Sequence, residues 1–76
     1  MDKKLSEVEL GKTVLIKHFE KDDIFLKLME MGCVPGEKVR VDIVAPLGDP
    51  ISILVAGYQL SLRLNEAEHI KVELIN

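Results

Sequence analysis

The chain has 76 residues, of which 47% are hydrophobic and 30% charged, and its net charge is −3. This length provides for one domain, residues 1–76, and the hydrophobic fraction argues against disorder because it can offset the entropy lost on folding. The Lys and Arg residues are scattered and outnumbered by Asp and Glu, 10 to 13, so no basic surface for nucleic acid is predicted. No apolar run approaches the roughly 20 residues of a membrane span, and no signal peptide follows Met1. A cytoplasmic domain without membrane insertion of its own is therefore expected.

Near the start of the chain, residues 6–9 favour a short helical turn that ends at Gly11. Beyond it the dominant pattern is the alternation of apolar and polar residues that is typical of half-buried strands. Five short strands are predicted on this pattern, at residues 12–19, 38–45, 51–56, 58–64 and 70–75. In the second of them the alternation places Val39, Val41 and Ile43 on the inner face.

Residues 22–31 break the two-residue period and predict one α-helix. Phe25, Leu28 and Met29 follow helical spacing and are expected to pack on the strands. Gly32 supplies the left-handed residue that ends a helix. Aspartates at the first positions complement the helix dipole.

Turn residues separate the predicted elements. Pro35-Gly36 fits the central positions of a type II turn, and residues 46–50 form a hairpin loop bracketed by two prolines. Gly57 predicts a tight reversal, and Asn65–Glu68 predicts one helical turn before the last strand. Five short strands joined in this way close most readily into a small barrel, because closure removes exposed edges. The inserted helix would then cover an open end of that barrel.

Four segments, in this order and spacing, resemble the FeoA family. They are Leu5–Lys12, Leu28–Gly36, Ala45–Ile51 and Gly57–Arg63. The resemblance spans nearly the whole chain, and it implies an SH3-like barrel, in agreement with the five predicted strands. It also implies a cytoplasmic accessory protein of bacterial ferrous iron transport, whose partner is FeoB, the membrane iron permease with a cytosolic GTP-binding domain. Cys33 departs from the bulky apolar residue that this family often carries at its position.

No pattern in the sequence indicates an enzyme, since no nucleophile–base arrangement, phosphate-binding loop or paired-carboxylate motif is present. The alternative function is that of a small metal-binding protein, an iron chaperone or sensor. Its candidate ligands are His18, Cys33 and His69, for Fe(II) or another divalent ion. Their spacing is not that of a metal motif, and both histidines are also typical of ordinary surface residues. No cofactor is firmly implied.

The apolar residues of the helix extend further round its surface than one buried stripe requires. An exposed remainder would form a partner-binding patch, and the candidate residues are Ile24, Leu26, Met29, Met31 and, at the hairpin tip, Leu47. A third function, an adaptor for proline-rich peptides, is disfavoured by an aromatic content of 4% because aromatic side chains usually line such grooves. The sequence leaves the oligomeric state open.

Overall fold

The structure, a computed structural model, describes residues 2–75. The elements in chain order are β1 (Asp2–Lys4), a 3-10 turn (Leu5–Glu7), β2 (Thr13–Phe19), α1 (Asp22–Glu30), β3 (Lys38–Val44), β4 (Ile51–Val55), β5 (Tyr58–Leu62), α2 (Leu64–Ala67) and β6 (Ile70–Leu74). The predicted mainly β class with one longer helix is confirmed. The additional strand, β1, has three charged residues and no apolar alternation, so only its backbone pairing with β6 reveals it.

All strands pair antiparallel in one sheet of order β1-β6-β2-β3-β4-β5. The Cα extents are 28 × 24 × 23 Å, nearly equal in three directions, whereas a flat sheet would be thin in one of them. The sheet is therefore strongly curled, as the barrel prediction required. Its hydrogen-bonded ladder ends at β1 and β5, which are the two edge strands.

One apolar core fills the curled sheet. Every strand except β1 contributes inward side chains, and α1 adds Ile24 and Leu28. The members of this core are Leu5, Val8, Val14, Ile16, Ile24, Leu28, Cys33, Val39, Val41, Ile51, Ile53, Val55, Leu62, Ala67, Ile70 and Val72. Removal of this surface from water is the main favourable term in folding, about 25 cal/mol per Å².

Strand β3 carries a bulge that makes one inward prediction wrong. Val41 pairs with Ile53, but the next pair is Ile43 with Ser52, so Asp42 is an extra residue without a partner opposite it. Directly paired residues share a face, and Ser52 points outward between two buried isoleucines. Ile43 consequently faces solvent and is 53% exposed. A bulge of one residue reverses the alternation beyond it, which sequence periodicity alone does not reveal.

Helix α1 ends at a glycine, as predicted. Gly32 has φ +84°, its N–H bonds to the carbonyl of Met29 at 3.1 Å, and the N–H of Cys33 bonds to the carbonyl of Leu28 at 2.9 Å. This pair of hydrogen bonds is the Schellman motif, which turns the chain back and places the following residue against the helix. Cys33 is thereby directed into the core.

Replacement of Gly32 by Ala is expected to lower the free energy of unfolding by about 1–2 kcal/mol, because a Cβ disfavours the left-handed conformation. Urea denaturation followed by circular dichroism measures the change. Glu30→Ala, at an exposed helix position, is the control and should differ from wild type by no more than about 0.5 kcal/mol. Wild-type stability of the Gly32→Ala protein would contradict this account of the helix end.

The turn between β4 and β5 contains the positive-φ residue that sequence reasoning missed. Ala56 has φ +51° and Gly57 φ +86°, the signs required by a two-residue type I′ hairpin. Gly57 adopts this conformation without penalty, whereas the Cβ of Ala56 carries a cost. The tight reversal predicted at Gly57 is therefore a two-residue turn whose first position is filled by an unfavourable residue.

Ala56→Asn is expected to stabilise the protein by about 0.5–1 kcal/mol, since Asn-Gly is a preferred type I′ pair. Ala56→Val should act in the opposite direction, because a β-branched side chain tolerates positive φ poorly. Thermal and urea unfolding of the two variants provide the comparison. Equal stability of both variants would mean that this backbone conformation does not limit stability.

Candidate protein-interaction site

The apolar residues of α1 divide into a buried stripe and an exposed remainder. Ile24 is only 8% exposed and belongs to the core with Leu28, so Ile24 lies outside the accessible part of the predicted patch. Leu26, Met29 and Met31 are 55%, 42% and 39% exposed. Only one stripe of the helix packs against the sheet. Ile24 and Leu28, four residues apart, form this stripe.

The three exposed apolar residues lie on different sides of α1. An α-helix turns about 100° per residue, so Met31 shares a flank with Lys27 and Met29 shares the opposite flank with Phe25. The Phe25 ring packs 5.4 Å from the ring of Phe19, which directs that flank toward the end of β2. Leu26 projects between the two flanks. These three residues, called the apolar ridge from here on, are Leu26, Met29 and Met31; they are spread round the exposed side and the C-terminal end of α1 and do not form one continuous stripe.

Leu47 lies at the tip of the β3–β4 hairpin and projects into solvent. It is 94% exposed, and the loop around it is closed by hydrogen bonds from Gly48 N–H to the Ala45 carbonyl (2.7 Å) and from Ala45 N–H to the Pro50 carbonyl (3.1 Å). The Asp49 carboxylate accepts the N–H of Leu64 at 2.9 Å, which ties the hairpin to the first residue of α2. The loop therefore presents an apolar tip on an ordered base.

Helix α1 lies beside edge strand β5. A Cβ on Gly32 would be 3.4 Å from the Tyr58 hydroxyl oxygen, so the end of α1 adjoins the start of β5. Further along, a groove of about 320 Å³ separates Lys27 of α1 from Ser61, Leu62 and Arg63. It continues into a second groove of about 420 Å³ that reaches the start of α1 and His69.

Glu66 joins the two walls of this groove. One carboxylate oxygen accepts a hydrogen bond from the Lys27 ammonium, and the other accepts the Arg63 N–H at 2.9 Å. The second contact caps the start of α2. The pattern Asn65–Glu68 predicts Glu68 as the capping glutamate, whereas Glu66, two residues earlier, fills this role. The Lys27 hydrogen bond holds the pKa of Glu66 below its ordinary value of 4.5, against the opposing effect of burial.

Glu66→Ala is expected to cost about 1 kcal/mol, since it removes both the cap and the ion pair. Glu66→Gln keeps an acceptor for the Arg63 N–H and should cost roughly 0.5 kcal/mol, because Lys27 is largely exposed. Urea denaturation at neutral pH measures both.

The Glu66→Gln difference should depend on pH. A carboxyl group whose pKa is lowered by folding stabilises the protein fully above its unfolded pKa and loses that contribution as pH falls through the folded value. The difference from wild type should therefore be largest at neutral pH and shrink below about pH 4. A difference that grows in acid would refute the role of the Lys27 pair.

The three candidate metal ligands are placed in different surroundings. Cys33 is fully buried, and desolvation, followed by the charge of Glu37, raises its pKa to about 11, so the thiol stays protonated. His18 is exposed on β2 opposite Lys71. His69 Nδ1 lies 3.7 Å from a Glu20 carboxylate oxygen. Residues 2–75 contain no group of three or more His, Cys, Asp or Glu side chains arranged to hold a metal ion.

The bulge on β3 creates a polar cluster that the sequence did not predict. Asp42, the extra residue, accepts hydrogen bonds from the Arg40 guanidinium and, at 3.3 Å, from the Gln59 amide of β5. The Arg40 bond holds the pKa of Asp42 below its usual range. The cluster links β3 to β5 across the outer face of β4, and it stabilises the sheet without forming a binding site.

Within the part of the chain that the structure describes, no helix has the length and apolar character to cross a membrane. The antiparallel sheet with its single apolar core and one packed helix is that of a small SH3-like domain with exposed apolar side chains on α1 and the β3–β4 hairpin.

The family follows from comparison with known proteins. The FeoA domain model matches residues 3–74, and the chain belongs to this family. A fusion protein of Fe(2+) transport protein A and Fe(2+) transporter FeoB from Porphyromonas gingivalis (strain ATCC BAA-308 / W83) is 39% identical over 74 residues. That match covers 96% of this chain but only 9% of the relative, so the chain spans a small part of the fusion protein.

Solved structures agree with this membership. A FeoA-like protein from Clostridium acetobutylicum has a TM-score of 0.91 and 37% identity, with 99% of this chain and 88% of that one covered. FeoA of Stenotrophomonas maltophilia, a prokaryotic SH3 domain protein solved with zinc, has a TM-score of 0.79 and 31% identity over 96% of this chain and 89% of that one. The predicted FeoA resemblance and SH3-like fold are both confirmed.

Proposed function

We propose that this chain is a cytoplasmic accessory protein of ferrous iron transport that binds the cytosolic part of a FeoB-type permease. The observation that carries the proposal is the relative in which a FeoA part and a FeoB transporter form one polypeptide. Covalent linkage holds two modules at high effective concentration, whereas a separate chain achieves the same proximity only by binding. FeoA of S. maltophilia has also been suggested to act as an activating factor of ferrous iron transport.

The contact surface in this proposal is the apolar ridge of α1 together with Leu47. Apolar side chains that remain exposed on a small domain are suited to a partner, and the two methionines of the ridge adapt to irregular surfaces. The net charge of −3 favours a basic patch on the permease and a faster encounter with it.

Regulation in this scheme is a binding equilibrium. The chain would shift the permease toward an open or a nucleotide-bound state only to the extent that its affinity differs between states. Its own contribution is shape and apolar surface, and no covalent step is assigned to it. The metal-carrier alternative receives less support, because among residues 2–75 no three ligand side chains are grouped to hold a metal ion, and burial raises the pKa of the Cys33 thiol.

Leu26→Asp and Met31→Asp are each expected to weaken binding to the isolated cytosolic domain of the cognate permease at least about tenfold, because a charge would be buried in an apolar contact. Titration calorimetry with and without GTP measures the affinity. Leu10→Asp is the matched control: Leu10 is 62% exposed and precedes β2, while α1 follows the other end of that strand.

Equal weakening by Leu10→Asp would indicate a nonspecific charge effect. Unchanged binding by both helix variants would remove the ridge from the contact. Failure of the wild-type chain to bind under every nucleotide condition would overturn the proposed partner.

A further inference from the structure

The two edges of the sheet differ in how they are protected. Edge strand β1 has three residues, all charged, and charge on a short edge strand discourages pairing with other chains. Edge strand β5 has five residues, Tyr58–Leu62, and none of them is charged or is proline. A bare edge of this kind is a template for an added strand.

The backbone groups available on β5 follow from its hairpin. Val55 and Tyr58 flank the two-residue turn and form a hydrogen-bonded pair, so Leu60 and Leu62, at alternate positions, also bond to β4. The N–H and C=O groups of Gln59 and Ser61 therefore point away from the sheet. No other element in residues 2–75 supplies hydrogen bonds to them.

The groove at the end of this edge is lined by charged side chains of both signs. Arg63 and Lys27 border the groove next to Ser61, and Lys21 borders its continuation. Lys27 is paired with Glu66, but neither Arg63 nor Lys21 forms a salt bridge with any residue in 2–75. The carboxylate of Asp23, also in the groove, accepts the N–H of Ile24. The groove thus carries three cations, Lys21, Lys27 and Arg63, against two carboxylates, Asp23 and Glu66, and its formal charge is positive although the chain as a whole is acidic.

We propose that the edge of β5 binds an extended acidic segment of a partner protein, which adds a strand through Gln59 and Ser61 and reaches the groove at Ser61–Arg63. Apolar side chains on one face of the added strand would contact the partly exposed Leu60, and carboxylates on the other would approach Arg63. This surface is distinct from the apolar ridge, so the proposal stands independently of the permease contact.

A second copy of this chain is a poorer occupant. Pairing of β5 with another β5 would bring Tyr58–Leu62 of one protomer against the same residues of the other, and this strand carries no carboxylate. The positive charge of the groove would then meet no carboxylate from the added strand. An acidic strand satisfies both the backbone edge and the cations.

The test uses the full chain and a short acetylated peptide of alternating valine and glutamate as the probe. Amide hydrogen exchange, read by NMR, should slow roughly tenfold at Gln59 and Ser61 when the peptide is saturating. Leu60 and Leu62 are internal references, because their amides already bond to β4 and should change little. The same peptide with N-methylated backbone nitrogens on the pairing edge should lose this protection.

Charge dependence provides the second measurement. Arg63→Glu should weaken the peptide roughly threefold to tenfold at low salt, whereas Lys12→Glu, at an exposed lysine before β2, should have little effect. A peptide with lysine in place of glutamate should bind more weakly than the acidic one.

Absence of slowed exchange at Gln59 and Ser61, or binding that N-methylation leaves intact, would overturn the proposal. Protection of the same amides without peptide, with a dimeric mass by sedimentation, would assign the edge to a second copy and equally overturn it. The proposal would be supported if exchange at these two amides slows with the acidic peptide, and if both Arg63→Glu and N-methylation of the peptide weaken this effect. None of these outcomes depends on whether the chain binds a permease.

Discussion

Burial of a single apolar interior is the constraint on which the other features depend. Six strands curl round it, yet the hydrogen-bonded ladder remains open between β1 and β5. The sheet alone does not enclose this interior, and Ile24 and Leu28 of α1 are part of it. The packing of Ile24 and Leu28 in the core therefore sets the orientation of the helix. The side chains on the rest of the helix surface remain partly or fully exposed to solvent.

Two kinds of surface result from that arrangement. The outer half of α1 keeps apolar side chains in solvent, because only one stripe of the helix fits the sheet. Edge strand β5 keeps two outward backbone positions without partners among residues 2–75, because no strand in that range pairs with its outer side. In the two proposals, the first surface would contact a partner through apolar side chains, and the second through main-chain hydrogen bonds and charge.

Polar contacts that bridge distant segments hold these surfaces in place. Glu66 joins α1 to α2, Asp49 joins the β3–β4 hairpin to α2, and Asp42 joins β3 to β5. Each contact is modest because it is near the surface, but each fixes the relative position of two elements that a partner would contact together.

The sequence by itself determined five of the six strands, the longer helix, its glycine end and the FeoA resemblance, because these depend on local periodicity and turn chemistry. Only the tertiary structure decided which side of that periodicity faces the core. Ile43 alternates correctly in sequence yet points outward, since a bulge at Asp42 shifts the register against β4. Ile24 and Leu26 have equal apolar character, and their separation into core and surface depends on where α1 docks. Lys27 and Glu66, which form an ion pair, are 39 residues apart in sequence. Strand β5 is an edge strand because, within residues 2–75, only β4 pairs with it. Such features arise from contacts between remote segments, and no local pattern encodes them.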